Sequence, residues 1–85
     1  MTVKTKTQVR PLYTIASEIR KDWKPVHGDA APYVVAMSSL NSINDNYIMD
    51  SGKEIVLRFL SNASSWRGDV ARRVKKELKS MAGLK

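Results

Sequence analysis

Residues Trp66–Met81, WRGDVARRVKKELKSM, decide the fold, because a helical period, a capping signal and a charge bias coincide there. Trp66, Val70, Val74, Leu78 and Met81 recur at steps of four, four, four and three, laying one apolar stripe along a helix with Ala71 beside it. The other faces carry Arg67, Arg72, Arg73, Lys75, Lys76 and Lys79. Ser65 is placed to cap the helix, Asp69 sits in its first turn and lysines gather toward its end, the charge order that the helix dipole favours. With Gly83 as its stop, the spacing predicts a basic amphipathic helix over about 66–82.

Upstream, Ser51 followed by Glu54 is a capping box, so a helix starts near Gly52 and runs to about 62. Ile55, Val56, Phe59, Leu60 and Ala63 form its apolar arc, and the NASS run at 62–65 breaks it. Before that, Asp29 can cap a helix over 30–43 with Pro32 in its first turn and Tyr33, Ala36, Met37, Leu40 and Ile43 on its apolar face. No Asp, Glu, Lys or Arg lies between Ala30 and Asn44, so this helix is either wrapped by its neighbours or open to a partner. Pro11 suits the first turn of a helix over 11–24 whose stripe is Leu12, Ile15, Ala16, Ile19 and Trp23, and Pro25 ends it. Residues 1–10, MTVKTKTQVR, hold too few apolar groups for a packed element and read as a flexible basic arm, with an edge strand over Val3–Val9 as the alternative. The expected fold is all-α, a compact four-helix domain over 11–85 behind that arm.

Between the second and third helices, Asn44–Asp50 reads as a loop whose Tyr47, Ile48 and Met49 either fold back over the core or form an exposed contact patch. Its oxygens do not make a calcium loop. Starting at Asn44 puts Ile48 fifth and Met49 sixth, where an oxygen ligand and glycine are required.

A chain of 85 residues, 42% of them apolar, supports one small core and little surface for a deep ligand pocket. The absence of cysteine excludes disulfides, thiolate zinc sites and cysteine nucleophiles together. The longest apolar run, Tyr33–Met37, is too short for a membrane span, and the N-terminus lacks the apolar core of a signal peptide, so a cytoplasmic protein is expected. The net charge of +7 is unevenly distributed, with both ends basic and residues 28–65 mildly acidic. That balance favours an anionic partner such as nucleic acid, a membrane surface or an acidic protein.

Several stretches look familiar together: Ile19–Trp23, Pro32-Tyr33 with Ala36-Met37, Asp45–Tyr47 with Asp50, Ile55-Val56, Phe59–Ala63, Trp66–Gly68 and Lys75–Lys79. In these the chain resembles a family of short uncharacterised proteins carried by bacteriophages, prophages and other bacterial mobile elements. The resemblance covers about residues 12–81, and Phe59–Ala63 followed by Trp66–Gly68 is its most specific part. It implies an origin and no mechanism, since the family brings no established activity and no functional residues. Proteins of that setting commonly bind nucleic acid or redirect a host protein.

Catalysis is not expected. His27 stands alone in a Pro-Gly loop, the acids are scattered through caps and turns, and the glycines are isolated at helix ends rather than grouped in a phosphate loop. Neither a cofactor nor a metal is implied. Two binding readings follow. In the first, Arg67, Arg72, Arg73, Lys75, Lys76 and Lys79 contact nucleic acid, and the third helix, the four-residue NASS break and the last helix have the proportions of a helix-turn-helix. The bland counterpart is a solvated face with Asp69 pairing Arg73 and Arg73 pairing Glu77. In the second, a host protein is bound through the uncharged second helix and Tyr47, Ile48 and Met49, with Trp23 or Trp66 as aromatic anchors unless the core claims them. Either reading allows a monomer or a small homo-oligomer, and a membrane-surface role is not expected because the last helix commits its apolar face to the core.

Overall fold

Apolar stripes at helical spacing need one shared interior, and the computed structural model, which describes residues 9–83, brings them into a single cluster. The elements are α1 (Leu12–Asp22), α2 (Ala31–Met37), strands β1 (Asn46–Tyr47) and β2 (Asp50–Ser51), α3 (Gly52–Ser61) and α4 (Asp69–Met81). The chain is therefore mostly helical, with one minimal antiparallel hairpin that pairs Asn46 with Ser51 and Tyr47 with Asp50. That hairpin occupies what reads as a loop in the sequence. The core draws Leu12, Ile15, Ala16 and Ile19 from α1, Val34, Ala36 and Met37 from α2, Ile55, Val56 and Phe59 from α3, and Ala71, Val74 and Leu78 from α4. Among the described residues no polar side chain is buried, so apolar burial, at about 25 cal/mol per Å², is the main cohesive term.

The cap predicted for α3 is present, with Ser51 Oγ accepting the Glu54 N–H at 3.2 Å. Gly52 is required there for another reason. A Cβ at that position would lie 2.8 Å from both the Ile43 Cα and the Ser42 carbonyl oxygen, so only glycine lets the start of α3 lie against the 42–43 backbone.

The second helix departs from the expected span of 30–43. Asp29 does not cap it; the His27 carbonyl accepts from the Ala30 and Ala31 N–H groups at 2.9 and 3.0 Å. It stops at Met37, where the Ser38 and Ser39 hydroxyls bond back to the Val35 and Ala36 carbonyls. The chain then crosses the start of α1, and the Leu12 and Tyr13 N–H groups donate to the Asn41 and Leu40 carbonyls, each at 3.0 Å. Pro11, in extended geometry, offers α1 no side-chain cap. A longer α2 would leave those first amides unpaired, so this long-range pairing prevails over the local period.

The last helix begins at Asp69 rather than 66, and Ser65 is not its cap. Gly68 precedes it with φ +112°, a conformation that side-chain-bearing residues rarely adopt. Trp66 instead belongs to the α3–α4 connector and is 2% exposed. Its ring stacks on Trp23 at 5.7 Å between centroids and meets Phe59 edge-on at 6.2 Å, while its indole N–H donates to Asp22 Oδ2 at 2.8 Å. Both tryptophans are thus core or core-edge groups. The connector at 62–68 is longer than the four-residue break of the expected helix-turn-helix, because it must bring Trp66 into the interior.

Arg10, read from the sequence as part of the arm, is tied to the helices. Its guanidinium forms two bonds to the Glu77 carboxylate, at 2.9 and 2.7 Å, and a third to Glu18 at 2.8 Å. Of the rest of the expected arm, Val9 is exposed and residues 1–8 lie outside the described residues.

Candidate nucleic-acid interface

Helix α4 buries Ala71, Val74 and Leu78, which leaves its charged residues on two flanks of an exposed crest. One flank faces α1. There Arg73 pairs with Glu18, and Glu77 receives the fork from Arg10, so the Arg10–Glu18–Arg73–Glu77 group ties three parts of the chain together. The Arg10 guanidinium is pushed further above its ordinary value, first by its bond to Glu77. The Glu18 carboxyl is held below the usual carboxylate value, first by Arg73 and then by Arg10, against an opposing effect of burial. The local pairs expected between Asp69 and Arg73 and between Arg73 and Glu77 are replaced by these longer-range partners.

The other flank carries Arg72, Lys75, Lys76 and Lys79, with Arg67 entering from the connector. Arg72 meets Asp69 within the first turn, but both side chains are largely exposed, and such a surface pair contributes little. Arg67, Lys76 and Lys79 have no carboxylate partner among the described residues. Lys75 is different from its neighbours. It is half-buried, its ammonium donates to the Trp66 carbonyl at 2.7 Å, and it lies 6.0 Å from the centre of the Trp66 ring. Its pKa is lowered chiefly by burial and then by repulsion from Lys79 and Arg67, so these cations crowd one region. A concavity of about 250 Å³ opens where this flank meets the connector, lined by Ser64, Trp66, Arg67, Gly68, Ala71, Arg72 and Lys75.

The six candidate cations thus divide by partner. Arg73 is committed to α1 and Lys75 to the connector carbonyl, while Arg67, Arg72, Lys76 and Lys79 remain available to solvent. Nothing in the sequence joins Arg10, Glu18 and Glu77 into a network. No local signal could supply it, since Arg73 and Glu18 are separated by 55 positions. Gly68, by contrast, was a readable signal for where α4 starts.

The second candidate patch also divides. Tyr47 is half-buried against the core, whereas Ile48 and Met49 form the hairpin turn and are 83% and 89% exposed. Ile48 adopts φ +58°, which is costly for a β-branched residue. The uncharged α2 keeps Val34, Ala36 and Met37 inside and leaves Val35 half-exposed. His27 stacks on Trp23 at 6.4 Å and stands 3.7 Å from Asp29. Among the described residues no group of three His, Cys, Asp or Glu is placed to hold a metal ion, and no helix is long and apolar enough to cross a membrane. Comparison with known protein families, with characterised proteins and with solved structures finds no match.

Proposed function

We propose that this is a small non-enzymatic binding protein of phage or mobile-element type that contacts nucleic acid through the outer flank of α4. One observation carries the reading: among the described residues Arg67, Lys76 and Lys79 pair with no acid, and Arg72, on the same flank, meets only the exposed Asp69. Solvated helix faces ordinarily interleave both signs, as the opposite flank of the same helix does with Arg73 and Glu77. Arg72, Lys76 and Lys79 follow at steps of four and three, a row suited to successive phosphates. The lysines act there as point charges, which suits contact with the phosphate backbone. Anisotropy of labelled duplex DNA, single-stranded DNA and RNA tests this. Binding should persist near physiological salt and weaken with a negative log–log salt slope; binding confined to low salt counts against it.

A second reading has its own support. Ile48 and Met49 are apolar, almost fully exposed and displayed on a turn whose backbone is disfavoured for isoleucine, which suits a contact with a host protein. Replacing both with serine, while keeping Tyr47, should abolish such a contact without unfolding the domain. Retention of a captured host protein by that variant would remove this reading.

A further inference from the structure

The outer flank of α4 has two shapes, a convex row at Lys76 and Lys79 and a concave end where the connector enters. The concave end is lined by Arg67, Arg72 and Lys75 together with Ser64, and among the described residues no Asp or Glu lines it. Lys75 is held there by the Trp66 carbonyl, which takes one of the three donors of its ammonium and, among the described residues, leaves the other two uncommitted. Gly68 sits at the rim, and nothing lies within 4 Å of the place where a Cβ would be, so the approach is open. Among the described residues Arg72 is engaged only by Asp69, in an exposed pair that an incoming anion can replace at little cost.

We infer that this hollow is a binding site for a phosphate monoester. The shape argues for a terminal group: a diester continues on both sides and lies along a convex row, whereas a monoester can seat its end in an open hollow. Charge argues the same way, because a monoester approaches two negative charges at neutral pH and matches a hollow lined by three cations better than a diester with one. Crowding of Lys75 by Arg67 and Lys79 points in the same direction, since an anion relieves that repulsion. The phosphate can come from the end of a nucleic-acid strand, in which case the site rests on the function proposed above, or from a free mononucleotide or inorganic phosphate.

The test compares oligonucleotides of one sequence carrying a 5′-phosphate, a 3′-phosphate or hydroxyl ends. It adds NMR amide titrations with inorganic phosphate and a mononucleotide. A preference of about tenfold for one phosphorylated end is expected, the scale of one added charge-assisted hydrogen bond. That preference should vanish in Arg67→Gln, an exposed change that leaves the core untouched, and in Lys75→Met, whereas Asp69→Asn should strengthen it several-fold. Lys76→Gln and Lys79→Gln should lower the affinity for all oligonucleotides and keep their ratio. Oligonucleotides that bind equally whatever their ends, with no phosphate-induced shifts at Arg67, Gly68 and Arg72, overturn the site while sparing the proposed function. Saturable shifts at those residues with phosphate or mononucleotide, but no oligonucleotide binding, support the site and overturn its nucleic-acid source. If neither oligonucleotides nor phosphate bind, both ideas fail.

Discussion

The two flanks of α4 carry similar cations on one helix, yet they are in different physical situations. On the flank facing α1, Arg73 is closed off by Glu18, and the neighbouring Glu77 holds Arg10, so charge there joins distant parts of the chain. On the other flank Lys76 and Lys79 meet no acid among the described residues, and Arg72 meets only an exposed one. The difference teaches that a count of basic residues says little until their partners are known. Charge that is already paired contributes to the fold, and charge that is unpaired is available to a ligand.

The largest effect should come from removing the side chain that seats the connector in the core. Trp66→Ala should destabilise the domain by about 3–5 kcal/mol, a large share of what a domain of this size possesses. Trp66 fills the core beside Trp23 and Phe59, and its carbonyl anchors Lys75. Chemical denaturation measures it, and a loss under about 1 kcal/mol would mean that the connector does not depend on its tryptophan.

Reversing the outer flank should break the comparison in one direction. Arg67→Glu, Lys76→Glu and Lys79→Glu together should weaken nucleic-acid binding by on the order of a hundredfold at low salt while leaving the thermal midpoint nearly unchanged. A variant that unfolds, or one that binds as before, would erase the distinction between the flanks.

The inner flank should respond in the opposite sense. Glu18→Gln should cost about 1 kcal/mol at neutral pH and leave binding intact. Because the folded-state pKa of Glu18 is depressed, its contribution is fully present above the ordinary carboxylate value of 4.5 and is lost as pH falls through the folded value. Melting curves of wild type and variant should therefore run parallel near neutrality and converge below about pH 4.5. A constant gap down to pH 3 would contradict that assignment.

How far the sequence could be read follows from the range of each interaction. Stripes such as Leu12, Ile15, Ala16 and Ile19, and the Ser51 cap, depend on neighbours within a turn or two, and they appear as expected. The true end of α2 depends on α1 needing the Leu40 and Asn41 carbonyls, and the start of α4 on Trp66 finding Trp23, neither of which periodicity encodes. The candidate cations were legible as a set, but their division was not. Local pairing rules join Arg73 to Asp69 or Glu77, while the folded chain supplies Glu18.

The smallest effect concerns the hairpin tip. Ile48→Gly should stabilise the protein by about 0.5 kcal/mol, because glycine tolerates the positive φ that Ile48 is forced to adopt. That raises the thermal midpoint by about 2–4 °C. A destabilised variant would show that the isoleucine side chain contributes to the fold despite its exposure.

The most direct measurement is the salt dependence of nucleic-acid affinity for the wild type and for the variant reversed at Arg67, Lys76 and Lys79. If the outer flank contacts phosphates, the logarithm of the affinity should fall against the logarithm of salt with a slope of about −2 to −3 in the wild type, and that dependence should collapse in the variant. An unchanged slope, or a wild type that binds nothing near physiological salt, would contradict the claim that this flank is a nucleic-acid surface.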